Sequence, residues 1–325
     1  MNRPDPPVSW RTLHVDGARV RLLELGDGEP LVFLHGWGLG PSPYRRGLEG
    51  LCAAGVRVLA PALPGFSGSD GLPLLGITLD ALADRVARVL DVLDLGKPAF
   101  VVGHSLGGGV ALRLATRRPE LVRSLTLVNS VGGAPGPSRS RRVGDLRVAM
   151  DDRSWFRWWL SSLGELHPSE LLGTVPGSSV DLAANLLSKP LTATLTAMVA
   201  FRASLADDAQ ALVEAGMPVL FIWGDRDGVI APGALAGIVS ELPAEVVQGR
   251  HGWLLRSPRE FADLLVNALV VHAMLERRNR GMSIVPDAPL AEMLPVERRS
   301  RARHTPVDEL ASTGRTASTT REVRS

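Results

Sequence analysis

Cysteine is almost absent from this chain, because Cys52 is the single cysteine among 325 residues. One thiol forms neither an intrachain disulfide nor a cysteine-based metal site, so we expect a buried spectator at this position. Lysine is also scarce: Lys97 and Lys189 are the only two, and arginine supplies the rest of the 36 basic residues. With 34 acidic residues the formal net charge is +2. We interpret the arginine bias as compositional and predict no nucleic-acid-binding surface.

Long apolar runs are missing as well. The N-terminal segment MNRPDPPVSWRTLHV has no apolar core behind a basic start, which argues against a cleaved secretory signal. No uncharged apolar run reaches the length that spans a membrane, so we expect a cytoplasmic protein without stable membrane insertion. No internal repeat is visible, and no histidine pair has the spacing of metal ligands, so no metal site is predicted.

What the chain does contain is enough apolar sequence, 45% of its residues, for a substantial core. Apolar β-type runs alternate with segments of helical periodicity along most of it. The first two runs flank Asp16-Gly17, a hairpin signal. The predicted strands cover residues 11–15, 18–25, 31–34, 56–60, 99–103, 125–129, 218–223 and 245–248. This pattern predicts an α/β fold with a mostly parallel eight-stranded sheet and helices on both faces.

The alternation stops after the sixth predicted strand. Residues 133–216 indicate several helices and include the aromatic segment WFRWWL, which favours a helical cap inserted into the core. The core then consists of residues 1–132 and 217–276. Residues 277–325 are polar, arginine-rich and interrupted by prolines, so a disordered tail is expected. A tail that binds an acidic partner is the alternative.

The most informative stretch is residues 99–115, AFVVGHSLGGGVALRLA. It predicts a strand, a tight turn around Ser105 and a helix. A serine on such a turn crowds the positions two before and two after it, and Gly103 and Gly107 relieve that crowding. The Leu106 amide would lie at the helix N-terminus, where an unpaired N–H favours a developing oxyanion. Ser105 is the candidate nucleophile, and an ordinary βα turn is the alternative in a chain with 34 glycines.

A serine nucleophile needs a histidine within about 3 Å and a carboxylate that orients this histidine. The predicted strand at 218–223 is followed by GDRDG, which offers Asp225 and Asp227. The last predicted strand is followed by GRHG, which offers His251. Because ligands of parallel sheets bind at the carboxyl ends of the strands, we expect these turns and the Ser105 turn at one edge of the sheet.

Five segments carry a resemblance to a known family. They are HGWG at 35–38, LPGFSGSD at 63–70, GHSLGG at 103–108, WGDRDGVIAP at 223–232 and GRHGWLLRSPREFADLL at 249–265. As an ordered set over residues 13–275 they resemble the α/β-hydrolase superfamily, in particular its lidded, single-domain branch of esterase-like and carbon–carbon-bond hydrolases. The resemblance implies the α/β-hydrolase fold and neither a metal nor an organic cofactor.

The resemblance also implies catalytic roles. In such proteins the chain order is nucleophile, acid, histidine, and the acid is the aspartate three residues after the glycine of a W-G-x-x-D turn. That residue is Asp227, with Asp225 as the runner-up. Another known place for the acid, after the strand that follows the nucleophile, holds Asn129, which has no carboxylate. His251 is then the general base for Ser105.

By the same resemblance, the backbone N–H groups of Trp37 and Leu106 form an oxyanion hole. His35 is expected to hold the loop of Trp37 through hydrogen bonds, and His104 to line the site or to pack beneath it. The candidate pocket residues are His104, Phe66, Trp155, Trp159 and Trp253. For the tryptophans of the insertion, ordinary helix packing is the alternative to substrate contact.

The function predicted from these residues is hydrolysis of an ester-like bond in a small to medium, mainly apolar molecule, through a Ser-His-Asp triad and an acyl-enzyme. Carbon–carbon-bond hydrolysis of a ring-cleavage product and cofactor-free perhydrolysis use the same machinery and remain open. A non-catalytic small-molecule receptor is the alternative from another class. Serine at position 105 argues against haloalkane dehalogenase and epoxide hydrolase chemistry, for which resembling proteins use aspartate. The sequence predicts no oligomeric state.

Overall fold

The structure is a computed structural model that describes residues 8–133, 176–230 and 244–279. Within these ranges the chain forms one sheet of eight strands: β1 Val8–Val15, β2 Ala18–Leu25, β3 Glu29–Leu34, β4 Val56–Pro61, β5 Ala99–His104, β6 Val122–Val128, β7 Val219–Gly224 and β8 Ala244–Val247. Their order across the sheet is β1-β2-β4-β3-β5-β6-β7-β8. β1 pairs antiparallel with β2 and β2 with β4, whereas the pairs from β4 to β8 are parallel. The predicted eight-stranded, mostly parallel sheet is confirmed.

The same described ranges contain eight α-helices. They are α1 Arg45–Cys52, α2 Leu79–Leu93, α3 Leu106–Arg117, α4 Pro176–Ser188, α5 Pro190–Phe201, α6 Ala206–Glu214, α7 Trp253–Arg256 and α8 Pro258–Asn279. Proline opens three of them, since its missing N–H lies where a helix has no internal acceptor. α2 begins directly after Thr78, whose hydroxyl accepts the Ala81 N–H at 3.0 Å and so caps the helix.

Helices cover both faces of the sheet, as predicted. On β3, Val32 and Leu34 belong to one apolar cluster, whereas Leu31 and Phe33 belong to another. This alternation follows from the period of two along a strand. Side chains of α2 and α3 complete the first cluster, and side chains of α1 and α8 complete the second. The central strands are therefore buried on both sides, and only the turns at their ends reach the surface.

Some element ends differ from their predicted positions. β1 begins at Val8 instead of residue 11, because its pairing with β2 continues as far as Leu25. α8 extends to Asn279, past residue 276 where the core was expected to end, since leucine, glutamate and arginine favour helix. The rest of the predicted disordered tail lies outside the described residues.

The segment between β6 and β7 is described from residue 176 onwards, and this part is helical. Leu205, just before α6, donates its N–H to the Gly132 carbonyl at 2.8 Å. The Arg113 guanidinium of α3 pairs with Asp208 of α6 at 2.7 Å. A separate cap at 133–216 stays a prediction. In the described part of the chain, no helix is both long and apolar enough to cross a membrane.

Candidate active site

The carboxyl ends of five parallel strands place five polar or functional residues along one edge of the sheet. Trp37 follows β3, Ser105 follows β5, Asn129 follows β6, Asp227 follows β7 and His251 follows β8. Open α/β sheets bind their ligands at this edge. The sequence predicts this convergence for the turns of Ser105, Asp227 and His251, because each turn follows a predicted strand.

The turn at Ser105 is tight and strained. Ser105 has φ 54° and ψ −119°, a left-handed backbone that L-residues other than glycine seldom adopt. A Cβ on Gly103 would lie 2.3 Å from the Gly107 carbonyl oxygen, and a Cβ on Gly107 would lie 2.1 Å from that of Leu34. Side chains at either position would therefore clash with backbone, which is the crowding that the sequence predicts. Ser105 itself is 7% exposed.

Three side chains form a continuous hydrogen-bonded chain. The distance between Ser105 Oγ and His251 Nε2 is 2.9 Å, and that between His251 Nδ1 and Asp227 Oδ2 is 2.8 Å. An ionised carboxylate only accepts hydrogen bonds, so His251 Nδ1 carries the proton. Nε2 then has a free lone pair directed at the serine hydroxyl. This arrangement allows His251 to accept a proton from Ser105.

Asp227 is surrounded by donors that stabilise its charge. Its Oδ1 accepts the N–H groups of Val229 at 2.8 Å and Ile230 at 2.9 Å. The Asn129 amide donates to its Oδ2. Burial alone would raise the pKa of Asp227, but hydrogen bonds and the charge interaction with His251 outweigh burial, so the pKa lies below its ordinary value. Asp227 is therefore ionised at neutral pH.

Asn129 has a fixed orientation because a second residue occupies its carbonyl oxygen. The Trp253 indole N–H donates to Asn129 Oδ1 at 2.8 Å. An indole nitrogen only donates, so the NH₂ group of Asn129 must face Asp227. The position that could hold an alternative acid thus supports the acid at Asp227.

Asp225, the runner-up acid, lies elsewhere. Its Oδ1 accepts the Gly249 N–H at 2.8 Å, and this hydrogen bond lowers the pKa of Asp225. The side chain is exposed and pairs with Arg226 at 3.4 Å. The geometry therefore brings Asp227, and not Asp225, to His251.

The loop after β3 is held by the buried side chain of His35. His35 Nε2 accepts the Leu63 N–H at 2.9 Å, so its Nδ1 carries the proton and donates to the Gly36 carbonyl at 2.9 Å. Burial lowers the pKa of His35 to about 4, which keeps the ring neutral. These contacts are the ones expected of a residue that holds the Trp37 loop.

The insertion also contacts this loop. The Trp37 indole donates to the Ala193 carbonyl of α5 at 2.8 Å. Asn185 of α4 donates to the Gly38 carbonyl at 3.0 Å and accepts the Ser67 N–H at 2.8 Å. Asn185 is not predicted from the sequence, and no local signal marks it, because its two partners lie 147 and 118 residues away along the chain.

The amide of Leu106 is the first of helix α3. The first amides of a helix have no acceptor within the helix and carry the positive end of its dipole. Trp37 lies on the neighbouring strand-end loop, since β3 pairs directly with β5. An oxyanion hole made of the Trp37 and Leu106 amides stays a prediction that this topology permits.

The predicted pocket residues stay a prediction. Phe66 is 1% exposed and packs edge-on against His35 at a ring distance of 5.8 Å, and Trp253 is 3% exposed and packs against Phe261. Both side chains are therefore packed against neighbouring rings. His104 is also buried and lies beneath the site, one of the two places expected for it. Trp155 and Trp159 lie outside the described residues.

Within the described ranges, no group of three or more histidine, cysteine, aspartate or glutamate side chains is arranged to hold a metal ion. The polar groups at the strand ends are instead committed to the hydrogen bonds described above. What this arrangement can do is move a proton from a serine hydroxyl to a histidine next to an ionised carboxylate.

Comparison with known proteins gives the family. Residues 31–264, more than half of the chain, match the model of the alpha/beta hydrolase family. A Mycobacterium phage D29 protein named for non-heme haloperoxidase activity is 29% identical over 278 residues, 78% of this chain and 92% of that protein. The 2-hydroxymuconate semialdehyde hydrolase of Pseudomonas sp. strain CF600 is 38% identical over 135 residues, 41% of this chain and 47% of that enzyme.

A solved structure agrees with the family match. The esterase from Exiguobacterium antarcticum superposes with a TM-score of 0.64 over 80% of this chain and 98% of the esterase, at 20% sequence identity. Identity this low shows the shared fold alone, the α/β-hydrolase fold with its mostly parallel sheet. On the family match and this fold, the chain belongs to the alpha/beta hydrolase family.

Proposed function

We propose that this hydrolase cleaves ester-like bonds in small to medium, mainly apolar molecules, with Ser105 as nucleophile, His251 as general base and Asp227 as the acid that orients it. One observation carries the proposal. The His251 ring bridges Ser105 Oγ at 2.9 Å and Asp227 Oδ2 at 2.8 Å, with the proton on the nitrogen that faces Asp227. A serine positioned in this way is activated for attack on a carbonyl carbon.

In the first half-reaction, His251 Nε2 takes the Ser105 proton while Oγ bonds to the carbonyl carbon. The carbonyl electron pair moves onto oxygen, where the amides of Trp37 and Leu106 stabilise the charge. The carbon–oxygen bond to the leaving group then breaks, and the leaving oxygen takes the proton from His251. The products are a free alcohol and an acyl group esterified to Ser105.

In the second half-reaction, water replaces the alcohol. His251 takes a proton from water as the water oxygen bonds to the acyl carbon, and Ser105 leaves with that proton. Asp227 stabilises the imidazolium in both half-reactions, because its carboxylate stays ionised next to His251 Nδ1. The acid is released and the enzyme is restored.

Carbon–carbon-bond hydrolysis is the second candidate, favoured by the similarity to 2-hydroxymuconate semialdehyde hydrolase. Such a substrate brings a carboxylate that requires a cationic partner. Candidate partners are three arginines of the insertion, Arg153, Arg157 and Arg202, of which the first two lie outside the described residues. Ester hydrolysis requires no such cationic partner, since the hydrogen-bonded side chains of Ser105, His251 and Asp227 and the two oxyanion-binding amides suffice.

The test is hydrolysis of a chain-length series of p-nitrophenyl esters by the wild type and four variants. Ser105→Ala, His251→Ala and Asp227→Asn each remove one member of the chain, and losses of about 10⁴-fold or more in kcat are expected. Asp225→Asn is the matched control, because this exposed carboxylate lies two residues from Asp227 and contacts Gly249 instead of His251. It should retain wild-type activity.

Three outcomes would overturn part or all of this proposal. An inactive Asp225→Asn beside an active Asp227→Asn would overturn the assignment of the acid. A folded wild type that cleaves no ester but hydrolyses a ring-cleavage dienoate would replace the esterase proposal with the carbon–carbon hydrolase. Saturable ligand binding without turnover of either substrate would indicate a receptor.

A further inference from the structure

Behind the proposed active site, two buried side chains connect loops that lie far apart in the sequence. Tyr44 directly precedes α1, and its hydroxyl oxygen lies 2.9 Å from His104 Nδ1. The other ring nitrogen of His104, Nε2, lies 3.2 Å from the His251 carbonyl oxygen. Tyr44 is 2% exposed and His104 is 3% exposed. Neither hydrogen bond contributes to the proton transfer described above.

The direction of each hydrogen bond follows from the chemistry of its atoms. The His251 carbonyl only accepts, so His104 Nε2 carries a proton and donates it. Burial and the nearby His251 lower the pKa of His104 to about 3, so the ring is neutral and its Nδ1 has a lone pair. Nδ1 therefore accepts the Tyr44 hydroxyl proton. Burial raises the pKa of Tyr44, which keeps that proton in place.

The Tyr44 oxygen in turn accepts a backbone amide. The Gly36 N–H donates to it at 3.1 Å. Gly36 directly precedes Trp37, whose amide is one of the two proposed oxyanion donors. A Cβ on Gly36 would lie 2.8 Å from His104 Nδ1 and 3.1 Å from the Tyr44 hydroxyl. Only glycine allows the backbone to approach this pair so closely.

The hydrogen bonds thus run in one direction, from the Gly36 amide through the Tyr44 hydroxyl and the His104 ring to the His251 carbonyl. We propose that Tyr44 and His104 are positioning residues that hold the oxyanion-donor loop and the general-base loop at a set separation on either side of Ser105. This inference rests on the proposed function, because it gives Tyr44 and His104 a positioning role in the same active site. A reacting centre displaced by about 1 Å can lose about a hundredfold in rate.

Neutrality of His104 is part of this role. Its ring lies 5.0 Å from the His251 ring, centre to centre. A second positive charge at that distance would oppose formation of the His251 imidazolium. The other groups packed around His104 are Tyr44, the neutral His35 and the ionised Asp227, which lies on the far side of His251. A buried, uncharged His104 therefore donates a hydrogen bond without raising the barrier to proton transfer.

The main test is Tyr44→Phe, which removes the hydroxyl and keeps the ring. We expect kcat for a p-nitrophenyl ester to fall about ten- to hundredfold while KM changes by less than about threefold, because alignment is lost and substrate contacts are kept. The matched control is Thr126→Val, which removes another buried hydroxyl, bonded to His272 at 3.2 Å away from the site. It should lower the melting temperature by a similar amount and leave kcat unchanged.

A pair of substitutions at His104 separates positioning from packing. The Gln carboxamide of His104→Gln can place an N–H where Nε2 donates to the His251 carbonyl, whereas His104→Leu cannot. We expect Gln to retain at least about tenfold more kcat than Leu at comparable melting temperatures. Equal kcat values in these two variants, or a wild-type kcat in Tyr44→Phe, would overturn the inference.

A pH titration of the wild type tests the inference even if the variants do not fold. Tyr44 is the only tyrosine in the chain, so the ultraviolet absorbance of tyrosinate reports this one hydroxyl. We expect no ionisation at alkaline pH until the chain unfolds. Ionisation of the folded protein at the ordinary pKa would overturn the inference.

Labelling of Ser105 by a fluorophosphonate distinguishes the two possible failures. A wild type that is neither labelled nor active on esters would refute the proposed function, and the positioning role with it. A wild type that is labelled and active, beside a Tyr44→Phe variant labelled at the same rate, would refute only the positioning role.

Discussion

The two halves of the active-site edge are built differently. In the central half, at the ends of β3, β5 and β6, His35 is fully buried, Asn129 is 2% exposed and Ser105 is 7% exposed. The outer half lies at the ends of β7 and β8. The latter strand has only four residues, three of them exposed, and His251 is partly exposed, whereas Asp227 is as buried as Ser105, at 7%.

The two halves differ in what positions their residues. Backbone geometry alone positions Ser105, because sheet and helices enclose its turn. His251 follows a short edge strand, so its position depends on side-chain and backbone hydrogen bonds to Asp227 and His104. Substitutions of the backbone turns in the central half should therefore cost stability first, whereas loss of a hydrogen-bonding side chain, that of Ser105 included, should cost activity first.

The largest expected effect is in the outer half. Asp227→Asn should lower kcat by about 10⁴-fold, because an amide neither stabilises the imidazolium nor holds the required tautomer of His251. The melting temperature should fall only in part, because the amide keeps an oxygen that can accept the Val229 and Ile230 N–H groups. Steady-state kinetics and calorimetry on the same preparation check this, and a variant that is mainly unfolded would contradict it.

Acid should weaken the buried interior. Burial lowers the pKa of His35 and His272 to about 4 and that of His104 to about 3. The unfolded chain takes up protons at the ordinary value of about 6.5 and the folded chain does not, so the free energy of unfolding falls as the pH drops below about 6.5. Each histidine should cost about 2 kcal/mol near pH 5.

Urea unfolding across this pH range measures that loss. Replacing His272 by leucine removes one of the three groups without touching the site, and should make the pH dependence shallower. A free energy of unfolding that is the same at neutral pH and at about pH 5 would contradict the prediction.

An intermediate effect is expected at the turn of the central half. Gly107→Ala places a Cβ 2.1 Å from the Leu34 carbonyl oxygen, a backbone atom that cannot move aside freely. The free energy of unfolding should fall by about 1–3 kcal/mol. Gly76→Ala is the control, because the nearest atom to its Cβ is 4.0 Å away. Equal stability of the two variants in denaturant would remove the distinction between the halves.

The smallest effect is expected where the insertion contacts the Trp37 loop. Asn185→Ala removes the hydrogen bonds to the Gly38 carbonyl and from the Ser67 amide, which should cost about 1–2 kcal/mol of stability and a few-fold in kcat. Gln210→Ala is the matched control, since this exposed amide of α6 hydrogen-bonds Glu214 of the same helix. A kcat loss as large as that of Asp227→Asn would place Asn185 in the chemistry itself.

Local sequence predicts the parts of the site that depend on strand ends. Ser105, Asp227 and His251 each follow an apolar strand directly, so their shared edge follows from a parallel sheet. Local sequence does not predict which way an aromatic side chain in a loop points. Phe66 and Trp253 have the composition of pocket residues, yet both pack inward, because an aromatic ring in a loop carries no periodicity that shows which way it points.

The sequence by itself determined the sheet, its covering helices and the order of the candidate nucleophile, acid and base, because periodicity and turn residues act over a few positions. Only the tertiary structure decided that Asp227 instead of Asp225 meets His251, that Asn129 faces that acid, and that Tyr44 and His104 join two loops. These contacts link residues 24 to 147 positions apart, and hydrogen bonds over such separations are set by how the whole core packs, not by any local pattern.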